Sequence, residues 1–183
     1  MERRTHKDVS CIVGYHTQEW RGDELQSPKK CYRSDAWLGV AYYFWIDLFF
    51  THIWGKQEKT DKTGCYDIYN ALIEEGNLLN TVFSEKAYFI FLAKIKETIQ
   101  HLKSLNVKEI DLEKVNRYLT EKIWVHPLMG IKGIIFEDIP KNNEKEGKIY
   151  SEIPPLYYKK RIQIAVYDIK IIHNFELVDG ELS

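Results

Sequence analysis

The chain has 183 residues, enough for one domain with a buried core, and 26 lysines and arginines nearly balance 27 acidic residues. Balanced charge excludes a global basic field for nucleic acid, although it leaves room for a local patch. Three widely spaced cysteines predict reduced thiols in a cytoplasmic protein, and no apolar run is long enough to cross a bilayer.

Strands separated by polar loops are predicted in the first part of the chain. An apolar run over residues 9–15 indicates a buried strand, and residues 18–34 form a polar, exposed loop. The aromatic block that begins at Trp37 predicts a strand through Tyr42–Trp45 that leads into a helix. A charged loop at residues 56–64 and a strand at residues 65–73 follow.

A helical segment is predicted in the middle of the chain. Apolar residues recur at spacings of three and four over residues 84–105, where Ser84 is a candidate N-cap. A second helix over residues 112–124 follows a candidate cap at Asp111. Strands are predicted at residues 133–136, 162–167 and 170–175, and a charged loop at residues 140–147. Strands at both ends of a helical middle predict a single α+β domain over residues 1–183.

Two short segments suggest a ligand pocket, although the chain lacks the common phosphate-loop, serine-elbow and HExxH motifs. His16 ends an apolar run, and Gly39 lies inside the aromatic block. A histidine can hydrogen-bond a ribose, a glycine allows close backbone approach, and aromatic faces stack on rings. The alternative is that the aromatic side chains only fill a core. The six histidines have no metal-ligand spacing, so no metal site is predicted.

A glutamine in the last part of the chain has two interpretations. In a strand over residues 162–167, Ile162, Ile164 and Val166 share one face, whereas Gln163 lies on the other. Gln163 is either an ordinary edge-strand residue or an amide directed into a pocket, where it would hydrogen-bond a ligand hydroxyl.

Three segments in this order resemble the ADP-ribosyltransferase family. The resemblance is to the branch with a histidine, a tyrosine and a glutamate, aspartate or glutamine, which includes diphtheria toxin and the poly(ADP-ribose) polymerases. The segments are Gly14-Tyr15-His16-Thr17, Gly39-Val40-Ala41-Tyr42-Tyr43-Phe44 and Gln163-Ile164-Ala165-Val166-Tyr167-Asp168. The resemblance, which extends to small bacterial toxins, implies a split β-sheet core with a helical insertion at about residues 84–124.

The resemblance implies a mono-ADP-ribosyltransferase that takes NAD as co-substrate. His16 would hydrogen-bond a ribose of NAD, Tyr43 would stack on the nicotinamide ring, and Gln163 would bond the nicotinamide ribose. Thr17 and Gly39 are further implied NAD-binding positions, and Arg33 could meet the NAD phosphates. The implied partners are a macromolecular acceptor, either protein or nucleic acid, and an antitoxin protein, with no membrane partner.

Three positions depart from the family pattern and leave an alternative function open. No glycine follows His16, Ala41 replaces a glycine, and Gln163 carries no charge. An amide can hydrogen-bond but cannot stabilise a cation by charge, which favours transfer of a single unit over polymer growth, or a loss of activity. The alternative is therefore a catalytically inactive module that binds a partner protein. A nuclease is less favoured because no acidic metal-binding cluster is evident.

Overall fold

Eight strands form one open sheet with three α-helices in the computed structural model, which describes residues 1–60, 63–138 and 160–181. The strands are β1 (Arg3–His6), β2 (Val9–Glu19), β3 (Tyr42–Trp45), β4 (Tyr66–Glu74), β5 (Leu78–Asn80), β6 (Gly133–Glu137), β7 (Ile162–Val166) and β8 (Ile172–Glu181). The helices are α1 (Leu48–Glu58), α2 (Glu85–Ser104) and α3 (Leu112–Tyr118), and α3 continues into a π-helical turn at Leu119–Trp124.

The strand order is β5-β6-β7-β3-β2-β4-β8, and β1 forms a hairpin with β2. All pairs are antiparallel except β5 with β6. The long β2 pairs with β4 over residues 11–19, but it pairs with β3 only where Tyr15 lies opposite Trp45. The two halves of the sheet are therefore joined by one short contact, and the predicted α+β class is confirmed.

Two clusters of apolar side chains bury the two faces of the sheet. Ile162, Ile164 and Val166 pack into one cluster, and Ala165 packs into the other beneath α2 and α3. The alternation predicted for this strand is confirmed. β7 lies between β3 and β6 and is buried throughout, so the edge-strand interpretation of Gln163 is wrong.

Most predicted elements are present, and both predicted helix caps are formed. The Ser84 side chain accepts the Ala87 N–H, and the Asp111 side chain accepts the Lys114 N–H. No helix among the described residues has the length and apolar character needed to cross a membrane.

Several elements differ from the prediction. The strand predicted at residues 170–175 begins at Ile172, after a 3₁₀ turn at Ile169–Ile171, and extends to Glu181. Residues 56–58 were predicted to be loop but form the last turn of α1, where Lys56 suits the negative end of the helix dipole. β2 extends to Glu19 because residues 17–19 pair with β4. β1 and β5 were not predicted, because β1 is short and charged and β5 has only three residues. The loop predicted at residues 140–147 lies outside the described residues.

Candidate functional site

The three predicted site residues lie on adjacent strands at the junction of the sheet. His16 is on β2, Tyr43 on β3 and Gln163 on β7, with β3 in the middle. Tyr43 lies opposite Ala165, and Gln163 lies opposite Trp45. Because directly opposed residues share a face, Tyr43 and Gln163 are diagonal neighbours on one face, at roughly 7–8 Å in ordinary sheet geometry.

His16 is held as a neutral ring in the narrow junction between β2 and β3. Its side chain is 6% exposed, and its Nδ1 lies 2.9 Å from the carbonyl oxygen of Tyr43. Since a carbonyl only accepts, Nδ1 carries the proton, and Nε2 accepts the Lys29 backbone N–H at 3.4 Å. Burial lowers the pKa of His16 to about 4, so the ring is uncharged at neutral pH.

The ring of His16 lies on the other face of the sheet from the Tyr43 side chain. His16 alternates with Tyr15, which shares the face of Trp45, and the ring contacts Phe44 at 5.5 Å and Phe175 at 6.0 Å between centroids. Among the described residues no hydrogen bond joins the three site side chains. A ligand that contacts all three must therefore pass through the gap where β2 and β3 diverge.

The hydroxyl of Tyr43 anchors the preceding loop. It donates to the carbonyl of Gly39 at 2.8 Å and accepts the N–H of Leu38 at 3.3 Å. Burial raises the pKa of this phenol, which stays protonated. The ring lies edge-on to Phe136 at 6.3 Å. The hydroxyl thus has a structural role, and the ring contributes to an aromatic surface beside Gln163.

Gln163 is the residue whose surroundings point most directly to a ligand. Its side chain is 9% exposed, and its amide has no hydrogen-bond partner among the described residues. Its neighbours across the strands are the aromatic residues Trp45 and Phe136. The amide is not among the fully enclosed polar groups that lack a partner, so it still reaches solvent. An amide on a central strand, surrounded by aromatic rings, is available to bond a ligand.

The other predicted NAD-binding residues have contacts within the protein. The Thr17 hydroxyl donates to the carbonyl of Thr51 in α1. Gly39 has φ +75°, and a Cβ there would lie 2.8 Å from the Cβ of Asn116. Arg33 forms an exposed pair with Asp35, with bonds of 2.8 and 2.7 Å. Such surface pairs contribute little free energy and exchange readily, so Arg33 remains free to turn to a phosphate.

Two cavities lie near these residues. A polar cavity of about 290 Å³ is lined by Lys29, whose backbone N–H bonds His16, and by charged residues of both signs, namely Arg21, Lys30, Glu19, Asp23 and Asp67. The second cavity, called here the apolar groove, has about 320 Å³ and lies between α2, α3 and the loop at Trp37. Among the described residues no group of three or more histidine, cysteine or acidic side chains could hold a metal ion.

Two residues near the site, Phe136 and Asn116, were not singled out from the sequence, and both contact Trp37 or its loop. Phe136 lies opposite Gln163, Trp37 stacks on Phe136 at 5.3 Å, and Asn116 binds the loop that carries Trp37. Of these two, only Asn116 had a usable signal in the sequence. Its spacing of four from Leu112 and three from Leu119 places a polar side chain on the core face of the helix.

No protein-family model matches the chain, and searches of curated proteins and of solved structures find no significant match.

Proposed function

We propose that this protein is an NAD-dependent mono-ADP-ribosyltransferase, built on the split-sheet core that the sequence resemblance implies. The observation that carries the proposal is the Gln163 amide, which lies on a central strand on the face of Tyr43, reaches solvent and has no partner among the described residues. The order of His16, Tyr43 and Gln163 on three adjacent strands supports it. A toxin or anti-phage effector that modifies a macromolecule is the implied biological role.

The proposed reaction breaks the bond between nicotinamide and the ribose C1′ of NAD. Nicotinamide leaves with the electron pair of that bond, and C1′ becomes cationic. An acceptor nucleophile then bonds to C1′ and loses its proton to solvent or to a base. Such a reaction depends mainly on positioning and on dipoles directed at the developing charge. The carbonyl oxygen of Gln163 can accept a hydrogen bond from a ribose hydroxyl and orient the sugar without supplying a charge.

The residues present fit NAD in part. The neutral His16 offers Nε2, whose bond to the Lys29 N–H is long at 3.4 Å, and a ribose hydroxyl could replace that donor. Arg21, Lys29 and Lys30 line the polar cavity together with three carboxylates, and Arg21 pairs with Glu19 at 3.2 Å. Lys29 and Lys30 are therefore the cations that could meet a diphosphate there. Thr17 and Gly39 make their contacts within the fold, so their role in binding NAD is the least supported part of the proposal.

The test measures nicotinamide release and label transfer from NAD labelled in its adenylate phosphate, with cell lysate as the acceptor source. Gln163→Ala and Tyr43→Ala are expected to lower the rate by roughly 10- to 100-fold, because each removes a contact to the reacting half of NAD. Tyr42→Ala is the matched control, since Tyr42 packs on the other face of β3. The absence of both label transfer and nicotinamide release from the wild-type protein would refute the proposal.

A second candidate function is an inactive module of the same fold that binds a partner protein. The observation that favours it is the structural use of the Tyr43 hydroxyl, Thr17 and Gly39, together with the apolar groove. Calorimetry separates the two functions. Binding of NAD supports the enzyme, whereas tight binding of a partner protein without binding of NAD supports the module.

A further inference from the structure

The apolar groove is lined by side chains from both helices of the middle segment. Phe91, Ile95 and Ile99 recur along one face of α2, and Leu112 and Val115 face them from α3. The volume of about 320 Å³ is at the small end of the range for ligand pockets, enough for one ring-bearing group. Trp37 closes one end of the groove and is 50% exposed.

Asn116 gives this groove an uncharged polar acceptor. The residue is 6% exposed, and its Nδ2 donates to the carbonyls of Ala36 at 3.3 Å and of Trp37 at 3.0 Å. Both amide protons are therefore used, which fixes the orientation of the side chain. Its Oδ1 has no partner among the described residues and is not fully enclosed, since Asn116 lines the groove. A group that enters the groove can donate one hydrogen bond to this oxygen.

The groove is connected to the candidate site through aromatic stacking. Trp37 stacks on Phe136 with ring centroids 5.3 Å apart and an interplanar angle of 30°. Phe136 lies directly opposite Gln163. A molecule seated against Trp37 is therefore held beside the strand that carries Gln163.

The charge of the groove lining indicates which class of macromolecule suits the groove. Asp111 is the one charged residue among the described residues that line the groove, and its carboxylate is fixed by the backbone N–H and the ammonium of Lys114. Phosphate groups are bound by lysine and arginine, and neither is among the described residues that line the groove. A protein side chain suits this lining, whereas a nucleic-acid backbone does not.

We infer that the apolar groove is the acceptor-docking subsite, and that it binds a tyrosine or tryptophan side chain of a protein acceptor. The ring packs among Phe91, Ile95 and Trp37, and its O–H or N–H donates to Oδ1 of Asn116. This inference rests on the proposed function, because it names the class of acceptor. The groove is assigned only to binding of the acceptor, and the acceptor atom that would receive ADP-ribose is not identified.

The test uses the full chain without NAD and a glycine-flanked peptide that contains one tyrosine. Binding is followed by NMR through the isoleucine methyl signals and the indole N–H of Trp37. The tyrosine peptide is expected to shift the signals of Ile95, Ile99 and Trp37, and to bind roughly 2- to 12-fold tighter than a phenylalanine peptide, which is the range expected for one hydrogen bond. Trp37→Ala should abolish binding, and Phe89→Ala, an exposed aromatic residue outside the groove, should not.

Several outcomes would overturn the inference. Equal affinity for the two peptides, no shift at the groove, or displacement of the peptide by a mixed-sequence oligonucleotide would each do so. The tyrosine and phenylalanine peptides are compared on the wild-type protein. The test therefore still decides the inference if the Trp37→Ala protein does not fold. Nicotinamide release is measured separately. Nicotinamide release without peptide binding would refute only the assignment of the groove as a docking subsite. Peptide binding without nicotinamide release would refute only the proposed enzyme activity.

Discussion

At the scale of single residues, burial decides what each polar group in this site can do. His16 is neutral because its ring is enclosed, and both ring nitrogens are bonded to backbone groups. Gln163 is buried to a similar degree but has no partner among the described residues. His16 therefore holds the junction between β2 and β3 and can offer a ligand only Nε2, by exchange of its long bond to Lys29, whereas the amide of Gln163 is available without exchange.

The neutral His16 makes the stability of the protein depend on pH. The pKa of His16 is about 4 in the folded state, against 6.5 for an ordinary histidine, so between these pH values the unfolded chain binds a proton that the folded chain does not. The free energy of unfolding should therefore fall as the pH drops from about 6.5 to about 4, by about 3 kcal/mol from this residue, and level off below.

Urea unfolding of wild type and His16→Gln across this pH range measures that contribution. The variant has a neutral side chain at every pH, so its stability should decline less steeply on acidification. Identical pH dependence in the two proteins would show that His16 titrates with its ordinary pKa in the folded state.

At the scale of elements, local signals set where the helices begin. α2 begins where Ser84 accepts the N–H of Ala87, and α3 begins where Asp111 accepts the N–H of Lys114. Both caps were predicted from residue type, because a side-chain oxygen satisfies an N–H that has no partner within the helix. The end of α1 was mispredicted, since the charged residues 56–58 read equally well as a loop or as a solvated last helical turn.

Removal of the α2 cap should have a modest and specific cost. Ser84→Ala is expected to lower the free energy of unfolding by about 1 kcal/mol, because the Ala87 N–H loses its partner. Ser84→Asp retains an acceptor oxygen and should preserve most of the stability. Chemical denaturation checks both, and a full loss in the aspartate variant would show that the hydroxyl acts through another contact.

At the scale of the whole molecule, the helical segment and the sheet meet at the loop of residues 36–39. Asn116 binds this loop from α3, and the hydroxyl of Tyr43 binds it from β3. The loop thus places Trp37 between the apolar groove and the strand of Gln163. Residues about 80 positions apart in the chain are coupled here.

Gly39 is the tightest point of this junction. Gly39→Ala should destabilise the protein by about 2–4 kcal/mol, since it combines a positive φ with a Cβ 2.8 Å from that of Asn116. Gly22→Ala is the matched control, because Gly22 also has a positive φ but has nothing within 4 Å of the added Cβ. Equal losses in the two variants, measured by urea unfolding, would exclude the contact with Asn116.

The sequence by itself determined the α+β class, the course of β2, β3 and β7, and the caps of α2 and α3. These follow from periodicity and from side-chain bonds to nearby backbone, which act over a few residues. The sequence also identified His16, Tyr43 and Gln163 as candidate site residues, but it allowed Gln163 to be either an edge-strand residue or a pocket residue. Strand order alone could resolve that choice, and strand order depends on pairing between distant segments.

Only the tertiary structure decided which face each site residue occupies and what already binds it. It placed the ring of His16 against Phe44, on the other face from the Tyr43 side chain. It also tied the Tyr43 hydroxyl to the loop at Gly39 and brought Asn116 to that loop. These contacts join residues that are far apart in the chain, and burial makes them strong by excluding water. No local sequence pattern therefore predicts these contacts.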